Sequence, residues 1–202
     1  MIPFPDAEAD PAVIFTLDPA LRFTYCNAAW DRFAESNGGA RVMRAIVIGR
    51  PLAEFVSGEL AGFYSQAYGR VLQSGVPWRF EYECSSAEVL RKFAMHVYAV
   101  ERGAGLMVVN SLLVERPHGD PARSALEELY RGPDGFIVMC SNCRRTRVNI
   151  EDHWDWVPDF VKEPPEHVSH GLCGPCKEYY FAALRNVGKA GQLPFRPFPE
   201  QP

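Results

Sequence analysis

Phe23-Thr-Tyr-Cys-Asn-Ala-Ala-Trp-Asp-Arg-Phe33 changes its period part-way along. Up to Cys26, Leu21, Phe23 and Tyr25 alternate with Arg22, Thr24 and Cys26, as in a strand with one buried face. From Asn27 the spacing is helical: Ala29, Trp30, Phe33 and Ala34 share a side, and Asn27 stands where an N-cap belongs. Asn37-Gly38-Gly39 ends that helix. A strand thus runs into a helix through one polar residue. Upstream, Ala12-Val-Ile-Phe-Thr-Leu17 is a second apolar run, and Asp18-Pro19-Ala20 makes a hairpin turn between the two strands.

Downstream, Gly49-Arg50-Pro51-Leu52 leads to a longer helix. Its stripe is Leu60, Phe63, Tyr64, Tyr68, Val71 and Leu72, closed at Ser74-Gly75. Three strands follow. Trp78, Phe80, Tyr82 and Cys84 alternate with Arg79, Glu81 and Glu83; Phe93, Met95, Val97 and Ala99 mark the next; Gly105–Val114 forms the last. Ser85-Ser86 and Arg102-Gly103 are turns that make these antiparallel neighbours. Glu81 and Glu83, opposite the aromatics, read as a solvated face.

In this order, Tyr25–Phe33, Gly49-Arg50-Pro51-Leu52 and Ser74-Gly75 before three strands resemble a PAS domain over residues 10–115. The resemblance implies an α+β fold, a five-stranded antiparallel sheet with helices on one face. It also implies a sensory and dimerising module, often built around a small-molecule pocket. Phe15, Phe23, Phe63, Tyr64, Phe80 and Tyr82 would line such a pocket, and an ordinary packed core is the other reading of the same side chains. Haem is disfavoured, because the long helix Leu60–Leu72 has no histidine and His96 lies on a strand. Flavin photochemistry is disfavoured because the Gly49-Arg50-Pro51 segment has no cysteine. Cys26 and Cys84, in strand patterns, read as small buried hydrophobes.

Glu115-Arg-Pro-His-Gly-Asp-Pro121 breaks the composition. Asp120 as N-cap and Pro121 at the first helical position predict a linker helix within 116–136, with Leu126, Leu129 and Tyr130 as its stripe. By analogy with PAS proteins, a homodimer is expected through the PAS domain or this helix. A helix packed on its own sheet is the alternative.

The remaining cysteines form Cys140-Ser-Asn-Cys143, then 29 residues, then Cys173-Gly-Pro-Cys176. Two-residue spacing lets both sulfurs of a pair converge on one ion, and four thiolates in a tetrahedron suit structural Zn²⁺. Residues 137–188 are therefore expected to be a small zinc-stapled module, since a unit that short needs a staple. His170 is an alternative ligand or a hydrogen-bond donor to a thiolate. Cys173-Gly-Pro-Cys-Lys177 is also a thioredoxin dithiol, but that fold needs far more chain than the 26 residues that follow Cys176. The segments Met139–Arg145, Trp154–Phe160 and Ser169–Tyr180 resemble a cysteine-rich C-terminal extension found after PAS or receiver domains in bacterial signalling proteins. Residues 189–202 are proline-rich and expected to be disordered.

Net charge is −4, and residues 137–202 carry eight basic against eight acidic residues, so nucleic acid is not an expected partner. Arg144-Arg145-Thr146-Arg147 is a local positive cluster. No apolar run reaches bilayer length, and the acidic, proline-broken start is unlike a signal peptide, so a cytoplasmic protein without membrane contact is expected. No nucleophile elbow, phosphate loop or kinase motif is present, and no enzyme activity is expected. The expected function is non-catalytic signalling, in which a PAS sensor or dimerisation domain is coupled to a structural zinc module that contacts another signalling protein. The alternatives are a nucleic-acid-binding transcriptional regulator reading through the zinc module, and a thiol or zinc redox sensor.

Overall fold

The computed structural model describes residues 4–56, 58–100, 103–149 and 153–188. The tail 189–202 and Arg102 of the second predicted turn lie outside them. Helix α1 (Phe4–Ala9) precedes strands β1 (Val13–Leu17) and β2 (Phe23–Cys26). Between the strands, Asp18 Oδ1 accepts the backbone N–H groups of Ala20 and Arg22 at 2.9 and 2.8 Å, the local bonding that makes Asp a turn residue. Then come α2 (Ala28–Ser36), α3 (Arg44–Val47), α4 (Glu59–Ser74), β3 (Trp78–Glu83), β4 (Val89–Ala99) and β5 (Leu106–Pro117). The five strands form one antiparallel sheet in the order β2-β1-β5-β4-β3. The α4 stripe buries Leu60, Phe63, Tyr64, Ala67, Tyr68 and Val71. Gly75, at φ 68°, takes the left-handed turn that ends the helix and returns its N–H to Val71.

Asn27 joins three elements. Its Oδ1 accepts the N–H of Ile14 in β1 and caps α2 at Trp30, at 3.1 and 3.2 Å. Its Nδ2 donates to the carbonyls of Ala7, Asp10 and Ala12, at 3.0, 3.3 and 2.9 Å. The side chain is fully buried, so its loss would take a hydrogen-bond partner from each of these buried groups.

The second half contains α5 (Glu127–Tyr130), β6 (Ile137–Cys140), β7 (Thr146–Arg147), β8 (Trp154–Asp155), α6 (Pro158–Lys162), β9 (Val168–Gly171) and α7 (Gly174–Leu184). Its sheet order is β8-β7-β6-β9, and β6 and β9 run parallel. Tyr130, Ile137, Met139, Val157 and Phe160 form a small core. The predicted linker helix is much shorter than its spacing implied, being helical only over the four residues of α5. Asp120 pairs with Arg145 at 3.1 Å instead of capping a helix. Ala122 bridges Trp156, and the Arg123 N–H donates to the Trp156 carbonyl at 2.8 Å, so this backbone is extended. Of the predicted stripe only Tyr130 is buried; Leu126 and Leu129 are about half exposed.

The two halves share a core. Tyr180 and Leu184 of α7, with Val187 just beyond, belong to the same buried cluster as Phe63, Phe80, Trp78 and Val97. The α7 side also covers β3, an edge strand: Tyr179 Oη donates to the Glu81 carbonyl at 3.0 Å. Gly58, at φ 58°, lies so close to β9 that an added Cβ would meet the His170 carbonyl oxygen at 2.5 Å.

Asn27→Ala should lower the unfolding free energy by about 3 kcal/mol, combining a lost cap with unsatisfied buried groups. Asn27→Asp should destabilise as well, because it keeps the cap acceptor but turns a carboxylate oxygen toward three carbonyls. Urea denaturation of both variants reads this, and a neutral Asp variant would contradict the hub role.

Candidate metal centre

Parallel pairing of β6 with β9 places Cys140 opposite Gly171, two residues before Cys173. The two Cys-x-x-Cys turns therefore leave the same end of the sheet side by side. In the first, Arg144 at φ 62° folds the chain back, so that its N–H reaches the Cys140 carbonyl at 3.1 Å. In the second, Cys173 occupies the N-cap position of α7, Pro175 lies in its first turn, and the Lys177 N–H closes on the Cys173 carbonyl at 2.8 Å.

The four sulfurs lie within 4.8 Å of one another, and all four cysteines are buried. Cys143 and Cys173 are 3.7 Å apart at sulfur, far beyond the ~2.05 Å of a disulfide. A tetrahedron with Zn–S bonds of about 2.3 Å has sulfur–sulfur edges of about 3.8 Å. The spacing thus fits four thiolates around one ion. Hydrogen bonds from Cys143, Cys173 and Cys176 push the Cys140 thiol far below its ordinary value, while donation to Cys140 holds Cys143 well above its own. The Cys173 N–H points at Cys140 Sγ at 3.5 Å, and Trp154 and Leu172 pack against the sulfurs.

Asn142, between the first pair of cysteines, is 1% exposed. Its Nδ2 donates to Cys176 Sγ at 3.2 Å. Its Oδ1 accepts the Tyr180 hydroxyl at 3.0 Å and the Glu83 backbone N–H of β3 at 3.1 Å. One amide therefore bonds a sulfur, the helix that carries it and the edge of the large sheet. Nothing in Cys-Ser-Asn-Cys marks that role, since its partners are distant in sequence.

His170 lies on β9 opposite Met139, outside the four-sulfur group. Burial, then Arg144, lowers its pKa, and its Nδ1 is buried with no hydrogen-bond partner among the described residues. Cys26 is buried, and desolvation pushes its thiol up to about 12.

The six predicted pocket aromatics fall into three groups within or against one buried cluster. Phe15 and Phe23 pack together at 5.3 Å and with Trp30. Phe63 packs against Tyr64 and Phe80 at 5.1 and 5.3 Å. Tyr82 stacks on Phe93 and donates its hydroxyl to Asn110 at 3.0 Å. Against Phe63 and Phe80 lies Tyr180, with ring centroids at 4.7 and 4.8 Å. A groove of about 380 Å³ lies elsewhere, between α2 and the far ends of β4 and β5, where Phe33, Phe93, Leu112 and Arg91 line it.

Against known proteins, residues 7–116 match the model of the PAS fold family, which is more than half of the chain. The chain belongs to the PAS-fold family. Curated proteins yield no match. Among solved structures, the phage VqmA–DPO complex is 18% identical, over 55% of this chain and 51% of that one, with a TM-score of 0.43. This chain thus spans about half the length of that relative. The PAS domain of Bordetella pertussis BvgS is 19% identical over 55% of this chain and 82% of its own, with a TM-score of 0.43. The Cronobacter turicensis RpfR quorum-sensing receptor PAS domain, in complex with C12:0, is 17% identical over 52% of this chain and 96% of its own, with a TM-score of 0.41.

Glu83 corrects the expected solvated face: it is 8% exposed, its carboxylate accepts Ser85 Oγ at 2.7 Å, and α7 and Asn142 cover its strand. Burial raises its pKa, against the opposing effects of Ser85 and Lys92. A raised carboxyl binds its proton more tightly in the folded state. Its stabilising contribution is therefore present in acid and lost as pH rises through the folded pKa. Glu83→Gln, neutral throughout, is expected to be more stable than the parent at pH 7, with the gap narrowing by pH 4. Chemical denaturation at the two pH values checks this, and a gap that widens in acid would reverse the assignment.

Proposed function

We propose that this PAS-fold protein is a non-catalytic cytoplasmic regulator whose C-terminal module is held by one structural Zn²⁺ on Cys140, Cys143, Cys173 and Cys176. The observation that carries this reading is the buried four-sulfur cluster at tetrahedral spacing, built where two parallel strands and a helix N-terminus meet. Its closed set of four ligands suits a structural ion, with no position left for a reacting water. No helix among the described residues is long and apolar enough to cross a membrane.

Output in this reading is a protein–protein contact with another signalling protein. Leu126, at the start of α5, and Leu129 within it are about half exposed and give a homodimer apolar surface to use. The basic cluster Arg144–Arg147 is a second surface for that contact, and within it Arg145 is paired with Asp120 at 3.1 Å. A thiol-redox sensor would use the same four sulfurs, so metal content separates it from the structural reading.

The full chain, purified without added zinc, is expected to carry about one zinc per molecule by elemental analysis. Replacing any one of the four cysteines by serine should abolish that stoichiometry, whereas Cys26→Ser and Cys84→Ser should leave it intact. A metal-free parent with a titratable Cys173–Cys176 disulfide would replace the structural reading with the redox one.

A further inference from the structure

Cys176, Tyr180 and Leu184 recur every four residues on α7, and all three are buried, so they form one face of the helix. The first lies in the sulfur cluster; the other two lie in the core of the PAS sheet. The Tyr180 ring packs against both Phe63 of α4 and Phe80 of β3, which also touch each other. Its hydroxyl bonds Asn142, which in turn bonds Cys176 Sγ and the β3 backbone. At its other end α7 is tied to α4, where the Arg70 guanidinium donates to the Leu184 carbonyl. The link between α7 and the sheet of its own module runs through the cysteine turns, Asn142 and the Trp154 ring packed on the sulfurs.

We propose that α7 is a metal-dependent latch on the PAS core, and that Asn142 is the positioning residue that transmits occupancy of the four-sulfur site to it. The proposal rests on the zinc reading above. With the ion bound, the cysteines fix the first turn of α7, and Tyr180 fills the aromatic face of α4 and β3. Without it, the two turns lose their common anchor, and Tyr180 and Leu184 are free to leave. The face so uncovered, Phe63 and Phe80 with Trp78 stacked on Phe80 beside them, is aromatic. It also carries the Trp78 indole N–H, buried without a hydrogen-bond partner among the described residues. A flat apolar molecule with one hydrogen-bond acceptor fits that chemistry. Loss of the metal would then open the PAS core to a ligand.

Hydrogen exchange on the full chain, read by mass spectrometry with and without a chelator, tests the latch. Metal content is measured on the same samples. Chelation is expected to speed exchange at least tenfold in α7 and also in α4 and β3, and to raise the fluorescence of an added anilinonaphthalene sulfonate dye. Asn142→Ala should retain about one zinc per chain, yet show fast α4 and β3 exchange whether or not metal is present. Tyr180→Phe keeps the ring but cuts the hydroxyl link. It should bind zinc, fold, and show a smaller chelation response than the parent. A chain that binds no metal overturns both the zinc reading and the latch. A chain that binds zinc, but whose α4 and β3 amides exchange alike in both states, overturns the latch alone. Parent-like behaviour of both variants removes Asn142 from it.

Discussion

The buried face of α7 has to satisfy two environments at once. Cys176 must stand where three other sulfurs converge, and Tyr180 and Leu184, one and two turns on, must enter a hydrophobic core. A rigid helix fixes the distance between these demands at about 1.5 Å of rise per residue, so neither can be met without placing the other. Burying the Tyr180 ring and Leu184 is favourable by about 2–3 kcal/mol each, before the entropy of ordering the helix is counted. The cysteine turns order its first residues, and Asn142 ties that end to β3. Contact with the first half therefore adds to the stability that the second half draws from its own core and its cysteine cluster.

The same packing resolves a liability of the PAS sheet. β3 lies at the edge, where unpaired backbone groups invite association with another strand. Here the Glu81 carbonyl and the Glu83 N–H receive side-chain partners from Tyr179 and Asn142. Covering that edge also buries the Glu83 carboxyl, an electrostatic cost that Ser85 and Lys92 only partly offset. At the opposite edge, β2 is bonded by the segment after α3, through the Phe23 N–H to the Arg50 carbonyl at 3.0 Å.

Local features of the sequence were legible because their causes are local. The change of period at Asn27, the Gly75 stop and the strict alternation from Trp78 to Glu83 each became the element expected. So did the convergence of Cys140, Cys143, Cys173 and Cys176, since paired spacing constrains where sulfurs can point. The linker failed because Asp120 and Pro121 carry a helix-start signal that tertiary contacts with Arg145 and Trp156 outweigh. Tyr179-Tyr180-Phe181-Ala182-Ala183-Leu184 is continuously apolar, so periodicity gave no face and no hint that the helix belongs to two cores. Glu83 and Asn142 meet across 59 residues, a separation at which pattern reading has no purchase.

The central claim is that the PAS core and the cysteine module are one cooperative unit joined by α7. Differential scanning calorimetry of the metal-loaded full chain tests this directly. A single transition, with calorimetric and van't Hoff enthalpies equal, is the predicted result. Two resolved transitions, the first leaving the PAS sheet intact with its own melting temperature, would contradict it.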